Sequence, residues 1–151
     1  VKQPQVNIVN RRASHNYFIS DTVEAGIMLT GTEIKAIREG KANLTDAYCY
    51  FKDGELWIKN MHISPYDFGG YSNHAPRRDR KLLLHAHQLR KFISKLREKG
   101  VTIIPVRLYL NERGIAKLEI GLARGKKLYD KRESLKQAEA KREIGRVLVK
   151  R

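Results

Sequence analysis

Five histidines (His15, His62, His74, His85, His87), one cysteine (Cys49) and the glutamates Glu24, Glu33 and Glu39 are the side chains whose chemistry has to be tested first. A zinc-type centre needs ligands that converge, and no cysteine pair accompanies the histidines. His85 and His87 stand two apart in a stretch that reads as helix, where such positions do not share a face. The three glutamates form no acid–base pair at recognisable spacing. Gly125-Lys126-Lys127 shares only a fragment with a phosphate loop, which requires Gly at position 120 and Ser or Thr at 127, where the chain has Ile120 and Lys127. Cys49, alternating with aromatics, reads as a strand residue. Neither catalysis, nor a metal, nor a cofactor is expected from these residues.

Charge carries more information. The 151 residues have a formal net charge of +15, and it is segregated. Residues 1–17 sum to +3, 18–76 to −3, 77–99 to +7, 100–123 to +1 and 124–151 to +7. Two basic blocks beside a near-neutral body are the footprint of a polyanion-binding protein rather than of general solubility. No basic helix carries a strong apolar face for membrane insertion, so RNA is favoured over a membrane surface. One cysteine excludes a disulfide framework. No secretory signal is recognised, and a cytoplasmic monomer is the expectation.

The elements that must position these charges follow from local patterns. Residues 1–12 show no lasting period and read as a basic arm, and residues 15–19 as a short strand. Residues 23–29 read as a second strand. Thr30 and Glu33 then have the spacing of a capping box, Ile34 and Ile37 the spacing of a helix, and Leu29 that of a staple. Gly40 ends that helix. Asp53-Gly54 between residues 47–52 and 55–59 signals a two-residue hairpin, and residues 60–76 read as loop. Leu89, Phe92, Ile93 and Leu96 make a helical stripe stopped by Gly100, with Arg90, Lys91 and Lys95 on the other face. Residues 101–110 are a β-rich run in which Pro105 requires a bulge or an edge. Residues 115–123 alternate, with Ala116, Leu118, Ile120 and Leu122 on one face.

Short strands, a hairpin and two helices predict a mainly β protein with flanking α. The expected form is an antiparallel β-barrel like the oligonucleotide-binding fold over residues 13–123, although pattern alone also allows an open α+β sheet. Residues 124–151 lack a continuous apolar stripe and read as a basic tail that is helical when bound to a partner.

The segments NRRASHNYF (10–18), EAGIMLTGTEIKAIREGKANLTDAY (24–48), NMHISPY (60–66), RKLLL (80–84) and GLARGKKLYDKRESLK (121–136) occur in that order. Together they resemble the SsrA-binding protein family, the partner of transfer-messenger RNA. That resemblance implies an oligonucleotide-binding-type barrel without catalytic activity. It implies a role in trans-translation, in which the tRNA-like domain of that RNA is brought to the empty A site of a stalled ribosome. By the same resemblance His15, Glu24, Leu83 and His85 belong to the RNA-binding surface, with His85 replacing the family's usual Asn. Lys126, Lys127, Tyr129, Asp130, Lys131 and Arg132 match the start of the family's tail, which enters the decoding region and the messenger path. Tyr129 suits stacking on a ribosomal base. Arg90 and Lys91, from the first basic block, join the RNA-binding set. Glu24 can alternatively be a strand-end residue orienting its neighbours, and Leu83 can be core. A structural ribosomal protein is the alternative function; an RNA-modifying enzyme lacks its nucleophile–base pair or metal set.

Overall fold

The structure is a computed structural model and describes residues 6–126. In chain order its elements are β1 (Asn7–Val9), α1 (Arg11–Asn16), β2 (Tyr17–Ile27), α2 (Gly31–Arg38), β3 (Ala42–Asn43), β4 (Tyr48–Lys52), β5 (Glu55–Lys59), β6 (His62–Ile63), β7 (Arg80–Leu83), α3 (Ala86–Leu96), β8 (Val101–Leu110) and β9 (Ala116–Gly125). The main sheet runs β1-β8-β4-β5-β7-β2-β9, and β9 returns to pair with β8. Every pairing is antiparallel. Strands β4, β5, β7, β2, β9 and β8 therefore close into a barrel. One edge of β8 is shared, since Ile103 pairs with Cys49 of β4 and Arg107 to Tyr109 pair with β1.

Several elements form for the reasons visible in their residues. Asp53 and Gly54 take φ of 53° and 76°, the positive values a tight hairpin with the native twist demands. The register of β8 against β9 shifts between Pro105 and Arg107, where the missing N–H interrupts the ladder. On β9, Ala116, Leu118, Ile120 and Leu122 are buried in one core with Ala25, Leu56, Ile58, Leu82, Ile103 and Leu108. Phe92 joins that core from α3, while Leu89 and Leu96 are partly buried against it. Thr30 caps α2, with Glu33 reaching back to its backbone N–H at 2.8 Å. Leu29 and Ile34, the staple positions, both pack on the core.

Three local readings are corrected. Asn7–Val9 is a strand on β8, although three residues are too few to show a period. His15 lies in a helix, α1, rather than in a strand: the buried Asn10 side chain caps that helix by accepting from Ala13 N–H. The two strands expected over residues 15–19 and 23–29 are one strand, β2, bent by a bulge between Ser20 and Val23 with Asp21 at φ 52°.

A buried ion pair, absent from any sequence pattern, holds α2 to β7. The side chains of Glu33 and Arg80 are both 0% exposed and paired to each other. Arg80 also donates to the Met61 carbonyl at 2.7 Å and the Pro76 carbonyl at 3.2 Å, and Arg78 donates to Glu33 at 2.6 Å. Burial works against the Glu33 charge, but Arg78, the Thr30 N–H and Arg80 outweigh it and hold its pKa below the usual carboxylate range.

Candidate nucleic-acid interface

Strand pleating turns every second residue of β2, β7, β8 and β9 away from the core, and register then arranges those residues in rows. Glu24 on β2 faces Glu119 on β9, which in turn faces Arg107 on β8. The adjacent row runs Leu83, Gly26, Lys117, Tyr109 and Asn7 across five strands, about 19 Å around the barrel at the usual strand spacing. Two glutamates opposite one another would repel, and the neighbours resolve it. Arg107 pairs with Glu119 at 3.2 Å, and the Tyr109 hydroxyl donates to Glu24. Arg107 also lies 4.2 Å from the centre of the Tyr109 ring. Partial burial together with the bond to Glu24 pushes the Tyr109 hydroxyl up to about 12.

Leu83 is 49% exposed, so the core alternative for it fails. It stands against Gly26, where an added Cβ would come within 3.2 Å of the Leu83 Cβ. The glycine therefore leaves a low, partly apolar spot beside a fixed carboxylate. Met28, also exposed, continues the outward row of β2 past the end of the strand.

His85 is the N-cap of α3, and its N–H donates to the Gln88 side chain at 3.2 Å. Its backbone is extended, which corrects the reading that His85 and His87 cannot share a face. Their rings stack with centroids 5.8 Å apart and planes within 9°. Among the described residues no group of three or more histidine, cysteine or acidic side chains could hold a metal ion. Cys49 is buried in β4, and burial pushes its thiol pKa up.

On α3 both Arg90 and Lys91 are exposed, but they differ. Lys91 pairs with Asp21 in the β2 bulge at 3.3 Å, while no carboxylate pairs with Arg90 among the described residues. His15 belongs to another corner. It is exposed on α1, whose Ser14 carbonyl accepts from Lys126 at 2.7 Å, and Lys126 lies 5.3 Å from the Phe18 ring. Phe18 and Glu24 stand six positions apart on β2, roughly 20 Å at strand rise. The structure thus brings Glu24, Leu83 and their neighbours onto one face and sets His15 with Lys126. Lys127, Tyr129, Asp130, Lys131 and Arg132 lie outside the described residues.

Sequence reasoning missed Arg107, Tyr109 and Glu119. The signal existed, because β8 alternates Arg107 and Tyr109 with the buried Leu108, and β9 alternates Glu119 with Leu118 and Ile120.

A closed antiparallel barrel of short strands, with helices on it and basic and aromatic side chains outside, defines the chain as an oligonucleotide-binding-type β fold. The chain belongs to the SmpB protein family, whose model matches residues 7–150. It is 56% identical over 147 residues to the SsrA-binding protein of Bacteroides thetaiotaomicron, covering 97% of this chain and 98% of that one. It is 57% identical over 147 residues to the SsrA-binding protein of Phocaeicola vulgatus, with the same coverage. A solved structure described as "tmRNA-SmpB: a journey to the center of the bacterial ribosome" is similar with a TM-score of 0.69 and 52% identity, over 80% of this chain and 85% of that one.

Proposed function

We propose that this protein is an RNA-binding adaptor of trans-translation. It binds the tRNA-like domain of transfer-messenger RNA and brings it to the A site of stalled ribosomes, with no catalytic step of its own. The kinship carries the partner, since near full-length relatives are named for binding SsrA and the similar structure pairs the family with that RNA on the ribosome. The single observation in this chain that favours the reading is the outward face of β2, β7, β8 and β9. There a positioned carboxylate, Glu24, can accept from base amino or 2′-hydroxyl donors while Leu83 and Gly26 allow close approach. His85, the N-cap of α3, follows Leu83 by two residues, and Arg90 is exposed on that helix. The setting is the bacterial cytoplasm, and among the described residues no helix is long and apolar enough to cross a membrane.

The basic tail supplies a second task. Asp130 caps a helix formed on the ribosome, Lys131 and Arg132 meet ribosomal phosphate, and Tyr129 stacks on a base. Lys126 and Lys127 add phosphate contacts at its root. On this reading the tail's engagement of ribosomal RNA reports whether the messenger path is empty. Replacing Asp130, Lys131 and Arg132 together with Ala tests this division. Thermal stability and transfer-messenger RNA binding should stay near wild type while peptide tagging in a reconstituted stalled-translation system collapses. Normal tagging by the triple variant contradicts it.

A further inference from the structure

Strand β9 leaves the barrel between two grips. On one side Arg124 pairs with Glu98, in the turn after α3, at 2.6 Å. On the other, Lys126 donates to the Ser14 carbonyl of α1 at 2.7 Å and lies 5.3 Å from the centre of the Phe18 ring. Register explains why these groups meet. Phe18 of β2 stands opposite Arg124 and Tyr17 opposite Gly125, so the ring shares a face with Arg124 and lies one pleat from Lys126.

The two grips differ in strength. Arg124 and Glu98 are both well exposed, and such a pair is weak in water. Lys126 is half-buried, and it satisfies a carbonyl that the last turn of a six-residue helix leaves without an internal partner. A cation there also meets the negative end of the helix dipole, and the ring face attracts it further. Between the grips stands Gly125, which adds no packing: a Cβ built there would meet nothing within 4 Å. The direction of the chain at residue 126 therefore depends on the lysine. We propose that Lys126 is a latch that fixes the direction in which the tail leaves the barrel, with Phe18 as a positioning residue that holds it. The inference rests on the tail reading above and adds how the barrel aims that segment. A flexible chain of six residues spans about 12–15 Å. A loose root would spread Lys131 and Arg132 over that range, whereas a fixed root concentrates them in one direction. An ammonium has three N–H groups and Ser14 takes one, so the latch leaves donors for phosphate.

The test uses full-length protein with nitroxide labels at Lys52→Cys and Leu128→Cys, the native Cys49 being buried. Dipolar distances between the labels are measured alone and with Phe18→Leu, Lys126→Met or Lys126→Arg. One narrow distance is expected with the native latch. Phe18→Leu and Lys126→Met should each broaden it about twofold, and Lys126→Arg, which keeps the charge and the donors, should restore it. Phe18→Leu should keep its melting temperature and its affinity for transfer-messenger RNA. Peptide tagging of stalled chains should nevertheless fall about threefold, the size of one exposed cation–π contact. A lysine that only met phosphate would be indifferent to Phe18. A broad distribution with the native latch, an unchanged width in Phe18→Leu, or normal tagging despite a broadened width overturns the inference. Normal tagging by the Asp130, Lys131 and Arg132 triple variant removes the tail reading and the latch with it. Collapsed tagging in that variant beside normal tagging by Phe18→Leu removes the latch alone.

Discussion

Glu33 and Glu24 are both glutamates held by a polar partner, and burial gives them opposite work. Glu33 is sealed between α2 and β7, closes a capping box and neutralises Arg80. Glu24 stands on the outer face of β2, held by the Tyr109 hydroxyl and facing solvent. A buried carboxylate that loses its partner leaves a charge in a poorly polarisable interior, whereas an exposed one is rehydrated. The first network therefore maintains the barrel, and the second is available to a ligand. Chemically alike groups are told apart by access to water.

The contrast is broken most strongly at Glu33. Glu33→Ala strands Arg80 without a counter-charge and removes the reciprocal cap on Thr30. A loss of about 3–5 kcal/mol in unfolding free energy is expected, read by urea denaturation. A change under about 1 kcal/mol would show that water reaches Arg80 and that the two networks do not differ.

Glu24→Ala should do the reverse. Stability should move by less than about 1 kcal/mol, while affinity for the tRNA-like domain falls about 10- to 100-fold, the size of losing a hydrogen bond to a charged acceptor. Gel-shift titration at fixed salt measures it. Tyr109→Phe, which frees Glu24 without deleting it, should cost less than Glu24→Ala.

Acid sharpens the comparison. The folded-state pKa of Glu33 is depressed, so its stabilisation is fully present above the unfolded carboxylate value of about 4.3 and is lost as pH falls from there through the lower folded value. Denaturation midpoints measured from pH 6 down to pH 2 should fall more steeply for wild type than for Glu33→Gln. Parallel curves would place the acid sensitivity in other carboxylates.

The smallest effect separates two neighbouring cations on α3. Arg90→Ala should reduce the slope of log affinity against log salt by about 0.7–0.9, the value of one phosphate contact. Lys91→Ala should reduce it less, because Asp21 already partly neutralises that lysine. Equal reductions would mean that RNA displaces Asp21 at no cost.

How much of this was legible depended on whether a residue's role is written in its near neighbours. The capping box at Thr30, the Asp53-Gly54 hairpin, the Pro105 irregularity and the alternation along β9 are local rules, and each appears where its residues are. β1 was not legible because three residues carry no period, and α1 because its cap is secured by a side chain reaching Leu44 and Pro105, distant in sequence. The Glu33–Arg80 pair was hidden for a different reason. Arg80 begins an apolar run and belongs by composition to a basic block, so only the fold reveals that it is buried rather than offered to RNA. On the candidate interface, the family resemblance supplied Glu24, Leu83 and His85. The residues that hold Glu24 in place come from β8 and β9, and only register brings them there.

The central claim is that RNA recognition resides on the outward face around Glu24 and Leu83 while stability resides in the buried network. One paired measurement on Leu83→Ala tests it most directly: the unfolding free energy and the dissociation constant for the tRNA-like domain, taken on the same preparation. Leu83 is half exposed, so the account predicts stability within about 1 kcal/mol of wild type and RNA binding weakened by about tenfold or more. A Leu83→Ala protein that binds the RNA as tightly as wild type, or that loses binding only in proportion to lost folding, would contradict it.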